Sequence, residues 1–205
     1  MEIEGVRKYN LKHLSRPIDS DLNLVSLIET RNELYKAKLV GEDNFGIGYG
    51  NLSERLMDNQ PQFVITGSQT GNKEQLQKND FSVILSYNFE NFYIESYGLL
   101  PPSSESLTHA AIYEIFPHIN AIIHIHSEEI WNWMLVGDYL KTEPVEYGTQ
   151  KMVEEVKRIY RNRNIVKGSV FAMSGHTGGI ISFGKALDDA KFILHELSAV
   201  HLNQK

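Results

Sequence analysis

The tripeptide His124-Ile125-His126 is the sharpest chemical signal in the sequence. The run NAIIHIH (120–126) reads as a strand, and successive strand side chains alternate faces, so residues two apart share one. Both imidazoles then project together, close enough to bite one metal ion, while Ile123 and Ile125 point the other way into a core. Two histidines plus a third, more distant one is a common catalytic zinc pattern, with the fourth position left for water or substrate. His-x-His alone is equally the mark of two surface or core histidines that hold no metal. His176 lies in Ser174-Gly175-His176-Thr177-Gly178-Gly179 between two strand-like runs, where a glycine-rich turn can aim it at a site or leave it an ordinary loop residue.

Ser103-Ser104-Glu105 stands just before the His-x-His strand, at an expected helix start. Helix N-termini present free N–H groups and favour anions, so the two serines are candidates for phosphate oxygens. Glu105 is a candidate acid/base on a metal-bound substrate. The plainer reading is a serine cap with a glutamate favoured in the first turn. Gly50-Asn51-Leu52-Ser53 and Ile65-Thr66-Gly67-Ser68-Gln69-Thr70-Gly71 are small, polar, glycine-containing loops. Close backbone approach to a phosphate needs such residues, and so does any tight turn. His109 follows Glu105 by one helical turn and falls near the same place. His13, His118, His195 and His201 read as solvated or locally bonded, and Trp131 and Trp133 as core or interface residues.

The elements that must position these residues follow from periodicity. A helix is expected from about Leu22 to Val40, with Leu24, Leu27, Ile28, Leu34 and Tyr35 on one face, Ser20 or Asp21 as cap and Gly41 as stop. The glycine-rich GEDNFGIGYGNLSER turns tightly into a short strand. QFVIT (62–66), FSVILSY (81–87) and FYIESYG (92–98) read as strands. Pro101 and Pro102 break the chain, Ser103 or Ser104 caps a helix to about Phe116, and Pro117 closes it. Helices are also expected over SEEIWNWMLV, from Thr149 to about Arg161, and from Ala186 to about Leu202. SVFAMS (169–174) and GIISFG (179–184) read as strands around a turn. Strands in consecutive groups, with helices before, between and after, predict a mainly antiparallel or mixed sheet flanked by helices.

The 205 residues suit one domain, 1–205, in which the first 20 form an extension or short strand packed on a partner subunit. There are no cysteines, so disulfides, thiolate catalysis and Cys-ligated zinc are excluded. A formal net charge of −6 argues against a dedicated nucleic-acid binder. No run approaches the roughly 18 apolar residues of a membrane span, and no secretory h-region opens the chain. The expected location is cytoplasmic, with no nucleic-acid or membrane partner.

The order of these pieces is more specific than any one of them. GNLS, a TG-containing loop after a strand, SSE, His-x-His on a strand, then a His before a short strand and final helix: from about Leu22 to Ala199 this resembles the class II aldolase/adducin family, including the L-fuculose-phosphate aldolases. The resemblance implies a three-layer α/β/α fold with a mostly antiparallel sheet, and a homotetramer with active sites at subunit interfaces. It implies one divalent metal per chain, zinc, on His124, His126 and His176, with Glu105 as acid/base. It places Asn51, Ser103 and Ser104, together with Gly67, Ser68, Thr70 and Gly71 of the less regular loop, around a substrate phosphate; either Ser68 or the Thr70-Gly71 pair takes that loop's part. The implied activity is an aldolase-type cleavage of a small phosphorylated sugar or keto compound through an enediolate. Dehydration or epimerisation by the same site, or a non-catalytic adducin-like assembly module, are the alternatives. The interface and C-terminal tyrosines of the fuculose-phosphate aldolases have no evident counterpart here; Tyr147 and Trp131 are the aromatic residues nearby in sequence.

Overall fold

The computed structural model describes residues 6–161, 163 and 168–203; the first five residues of the expected N-terminal extension lie outside them. In chain order the elements are β1 (Asn10–Ser15), α1 (Val25–Lys36), β2 (Gly41–Glu42), β3 (Gly48–Tyr49), β4 (Asn51–Arg55), β5 (Phe63–Thr66), β6 (Phe81–Asn88), β7 (Tyr93–Gly98), α2 (Ser106–Ile115), β8 (Ala121–His126), α3 (Glu128–Val136), α4 (Gln150–Ile159), β9 (Gly168–Ala172), β10 (Gly179–Gly184) and α5 (Leu187–Asn203). Eight strands form one sheet in the order β1-β7-β6-β5-β4-β8-β10-β9. Only the β1–β7 pair in it is parallel, so the sheet is mostly antiparallel, as expected.

Two apolar clusters sandwich the sheet. One joins Leu107, Ile112 and Tyr113 of α2 and Met152, Val153 and Val156 of α4 to Phe63, Ile65, Ile122 and Ile181. The other joins Leu27 and Leu34 of α1, Met134 of α3 and Leu187, Leu194 and Leu197 of α5 to Leu52, Val64, Ile123 and Ile125. The architecture is three-layer α/β/α. Strand alternation therefore assigns faces residue by residue: Ile123 and Ile125 enter the α1/α5 layer, and His124 shares the α2 face with Ile122.

Several local expectations are corrected. Helix α1 begins at Val25 rather than Leu22, and Ser20 and Asp21 do not cap it; the Asn23 side-chain oxygen accepts from the Val25 amide instead. It ends at Lys36, ahead of Gly41, where Lys38 turns the chain with φ 58°. Gly41 instead lies in β2, paired with β3. Helix α2 starts at Ser106, with Glu105 at the cap position and no side-chain cap bond. Within the chain, β1 runs beside β7, and buried Tyr9 donates its hydroxyl to the Ser103 carbonyl at 2.8 Å, contacts on which the expected packing against a partner subunit does not depend. That bond ties the expected extension to the back of the candidate site.

Candidate metal centre and substrate cleft

Strands β8 and β10 and the turn before β10 bring the three histidines together. Residue Gly179 pairs with His126 across the β10–β8 ladder, and the turn that carries His176 is closed by His176 N–H donating to the Met173 carbonyl at 3.0 Å and Gly179 N–H to the His176 carbonyl at 2.9 Å. One ligand atom from each of His124, His126 and His176 lies within 4.8 Å of the others. The Nε2 atoms of His126 and His176 are 3.0 Å apart. Two neutral imidazoles that close, lone pair toward lone pair, need a shared cation or proton. Glycine is required at 179 by space: a Cβ there would lie 2.6 Å from His176 Cδ2 and 3.3 Å from His124 Nε2.

The nitrogen roles of His124 follow from its neighbours. Its Nδ1 sits against Glu105 Oε2, the two being almost fully buried. An Nδ1–H donated to the carboxylate leaves Nε2 as a bare lone pair, and that buried atom has no hydrogen-bond partner among the described residues. A carboxylate behind one nitrogen and an unsatisfied second nitrogen facing two other imidazoles is the donor set of a divalent metal site. The residues present fit such an ion.

Glu105 is 3 % exposed, which makes its charge state depend on neighbours. Burial alone would raise its carboxyl, but the charge and hydrogen bond of His124, helped by His176 and His109, hold it well below the usual carboxylate range. Asn51 Nδ2 donates to Glu105 Oε2 at 2.7 Å, while Oε1 is buried and has no partner among the described residues. One carboxylate oxygen is thus fixed and the other is available. Burial, reinforced by His124 and His176, also drives the His126 imidazole far down, toward the neutral form that binds metal.

A cleft opens beside this carboxylate. Its walls include Asn51, Gly67, Ser68, Thr70, Gly71, Ser103, Ser104 and Glu105, so every residue expected around a phosphate lies on one cavity, with His176 at its edge. The Gly67–Gly71 loop is zipped to the segment before α2: Ser68 N–H donates to the Pro101 carbonyl at 2.8 Å and Ser103 N–H to the Thr66 carbonyl at 3.2 Å. The Thr70 hydroxyl donates internally to the Gly67 carbonyl at 2.9 Å. Ser103 Oγ accepts from the Glu105 amide at 3.3 Å. His126 and His176 also face a second cleft on the far side, lined by Lys38, Asp43, Ser127, Glu128 and Thr177.

Two aromatic rings flank the histidines. The Tyr147 ring lies 4.7 Å from that of His176 and lines the first cleft; Tyr49 lies 5.0 Å from His126 and lines both. Tyr49 was visible as the one large side chain inside the glycine-rich GYGN run, whereas Tyr147 arrives by tertiary approach alone. Trp131 instead donates its indole N–H to the Met173 carbonyl at 2.9 Å, bracing the turn before His176 from outside. His109 is fully buried behind Glu105: its Nδ1 is 2.7 Å from Ser53 Oγ, which is 2.9 Å from the Tyr113 hydroxyl. Burial pushes its imidazole down to about 3, with Glu105 opposing and His124 adding to the fall. His13 Nδ1 lies 2.9 Å from Ser96 Oγ and His201 Nε2 lies 3.0 Å from Glu129 Oε1, each partner on a distant part of the chain.

A family model described as Class II Aldolase and Adducin N-terminal domain matches residues 27–201. Among solved structures, an L-fuculose 1-phosphate aldolase superposes with a TM-score of 0.66 at 22% identity, covering 90% of this chain and 85% of that one. The L-fuculose-1-phosphate aldolase of Thermus thermophilus gives 0.60 at 17% identity, covering 86% and 89%. A sugar-phosphate aldolase from Thermotoga maritima gives 0.60 at 16% identity, covering 87% and 95%. At these identities the structural likeness establishes the fold.

Proposed function

The chain belongs to the class II aldolase and adducin N-terminal domain family, and on that premise we propose that it is a metal-dependent lyase that cleaves a small phosphorylated sugar or related keto compound. The observation that carries this reading is the convergence of three imidazole nitrogens within 4.8 Å of one another beside a buried carboxylate with one uncommitted oxygen. A non-catalytic assembly module has no chemical need for that set.

His124, His126 and His176 would hold the ion, with zinc the metal expected from the family resemblance. When bound, it would supply Lewis-acid polarisation of a substrate carbonyl and a template for its orientation. Glu105 moves the proton: with Oε2 held by Asn51 and His124, Oε1 is the atom placed to take a proton from, or return it to, a hydroxyl or carbon next to that carbonyl. The phosphate end lies in the cleft of Asn51, Gly67, Ser68, Thr70, Gly71, Ser103 and Ser104. Because the Thr70 hydroxyl proton is already given to the Gly67 carbonyl, the loop offers the Ser68 hydroxyl and backbone N–H groups rather than that proton. The remainder of the substrate crosses the histidines toward the second cleft, whose mixed lining includes the hydroxyls of Tyr49, Ser127 and Thr177. We also assign a single domain, a cytoplasmic location and a homo-oligomer, with a tetramer as the expected form.

The test is to incubate metal-loaded protein with a panel of phosphorylated ketoses and keto acids and follow cleavage, water loss and epimerisation by NMR. An aldehyde and a phosphorylated ketone appearing together support the lyase; water loss or inversion reassigns the same site to dehydration or epimerisation. With any substrate found, Glu105→Gln should lower turnover per bound metal ion about 10²- to 10⁴-fold. Unchanged turnover would mean that Glu105 is not the acid/base. A metal-replete protein inert across the whole panel would favour the assembly-module reading.

A further inference from the structure

Arg31 is a charged residue on the buried face of α1, one turn after Leu27 and one turn before Leu34, and it is only 3 % exposed. A buried cation is ordinarily paired with a carboxylate. Here the guanidinium instead donates to backbone carbonyls: to Thr70 at 2.8 Å, Gly71 at 3.3 Å, Glu74 at 3.2 Å, and Lys73. Asp80, whose charge reaches it, is itself engaged by Lys73 and by the Gln77 amide at 2.8 Å. Burial lowers the Arg31 value to about 10, so it stays protonated at neutral pH.

Thr70 and Gly71, whose carbonyls it holds, are also walls of the Glu105 cleft. One peptide layer therefore separates the cation from the cleft. In a planar trans peptide, C=O and N–H point opposite ways, so fixing the Thr70 and Gly71 carbonyls on Arg31 turns the following N–H groups, of Gly71 and Asn72, away from it. The loop has little room to adjust, since a Cβ at Gly71 would lie 2.0 Å from the Gly41 carbonyl oxygen and 2.3 Å from Gly48 Cα.

We propose that Arg31 is a positioning residue for the substrate's anionic group: its fork sets the Thr70–Gly71 peptide so that the Gly71 amide faces the cleft, and its charge beneath that wall, held by carbonyls and the Tyr35 ring, is complemented by a bound phosphate. This rests on the cleft being the anion site of the proposed function. A bidentate, charge-assisted fork cannot be replaced by an ammonium without loss.

The experiment is calorimetric titration of metal-loaded wild type, Arg31→Lys and Arg31→Met with inorganic phosphate, with metal content and far-UV circular dichroism recorded on each. The expected result is phosphate binding to the wild type, about tenfold weaker in Arg31→Lys and weaker again in Arg31→Met, at unchanged metal content. A general folding defect would not restore affinity in step with the retained charge. If Arg31→Met does not fold, Arg31→Lys decides by the same tenfold criterion. Wild-type affinity in a folded Arg31→Lys overturns the role of Arg31 and leaves the anion cleft standing. No phosphate binding by the wild type removes the cleft reading, and this proposal with it.

Discussion

Glu105 enters the cleft with one oxygen committed to Asn51 and His124 and the other uncommitted, and this asymmetry gives a division of labour that mutation can separate. Asn51→Ala removes the neutral donor that fixes Oε2, and turnover of an identified substrate should fall about 10- to 100-fold, the range found when such supporting groups around a metal site are lost; kinetics with metal content in parallel check it. His109 gives a pH prediction. Its folded value of about 3 lies below the ordinary 6.5, so the unfolded chain binds the extra proton between those limits. Its contribution to stability is therefore fully present above pH 6.5 and is lost as the pH falls toward 3. Denaturant unfolding from pH 7 to pH 4 should show the wild type losing up to about 1.4 kcal/mol per pH unit more than His109→Gln; parallel curves would show that the ring is not held neutral by its burial. At this scale the sequence was informative where the period-two rule applies: it placed His124 and His126 on one face and Ile123 and Ile125 on the other. It named Tyr147 as a nearby aromatic residue without placing it, because Tyr147 reaches His176 through a loop whose path no local periodicity records. Arg31 left a signal, a cation at i+4 from Leu27 on the buried face of α1, but its carbonyl partners lie about 40 residues away in sequence.

The elements hold the histidines because β8 lies between β4 and β10, placing Asn51 opposite His124 and Gly179 opposite His126. Gly179→Ala would push a methyl group into His176 and toward His124 Nε2. Metal affinity, followed by competition with a chelator, should drop at least about tenfold, while far-UV circular dichroism stays unchanged. An unaltered affinity would mean that the turn can yield. Helix α1 is anchored by Leu27, which is fully buried against the sheet; Leu27→Ala should cost about 2–5 kcal/mol in denaturant unfolding. Element type was readable along most of the chain because the apolar periods are regular. Boundaries were not: α1 starts three residues late and α2 begins after Glu105, since caps are settled by which backbone group is near, as Asn23 shows at Val25.

At the level of the whole molecule, the order of helices and strands pointed to a mainly antiparallel or mixed sheet flanked by helices, and the three-layer order came from the family resemblance. The parallel pairing of β1 with β7 could not be read, because a short N-terminal strand has no local signal for its partner. No helix among the described residues is long and apolar enough to cross a membrane. The second cleft opens beside His126 and His176 to exposed residues, and an assembly that closes it would complete the substrate's surroundings. Light scattering should give a mass about four times that of the chain, the form implied by the family resemblance; a monomer at micromolar concentration would contradict the tetramer.

The proposed chemistry depends on three histidines holding a divalent ion next to a working carboxylate. Its most direct test is metal analysis of protein purified without a histidine tag or chelator, beside His124→Ala/His126→Ala. About one ion per chain is expected in the wild type and none in the double variant. No metal in the wild type, even after reconstitution with several divalent ions, would contradict it.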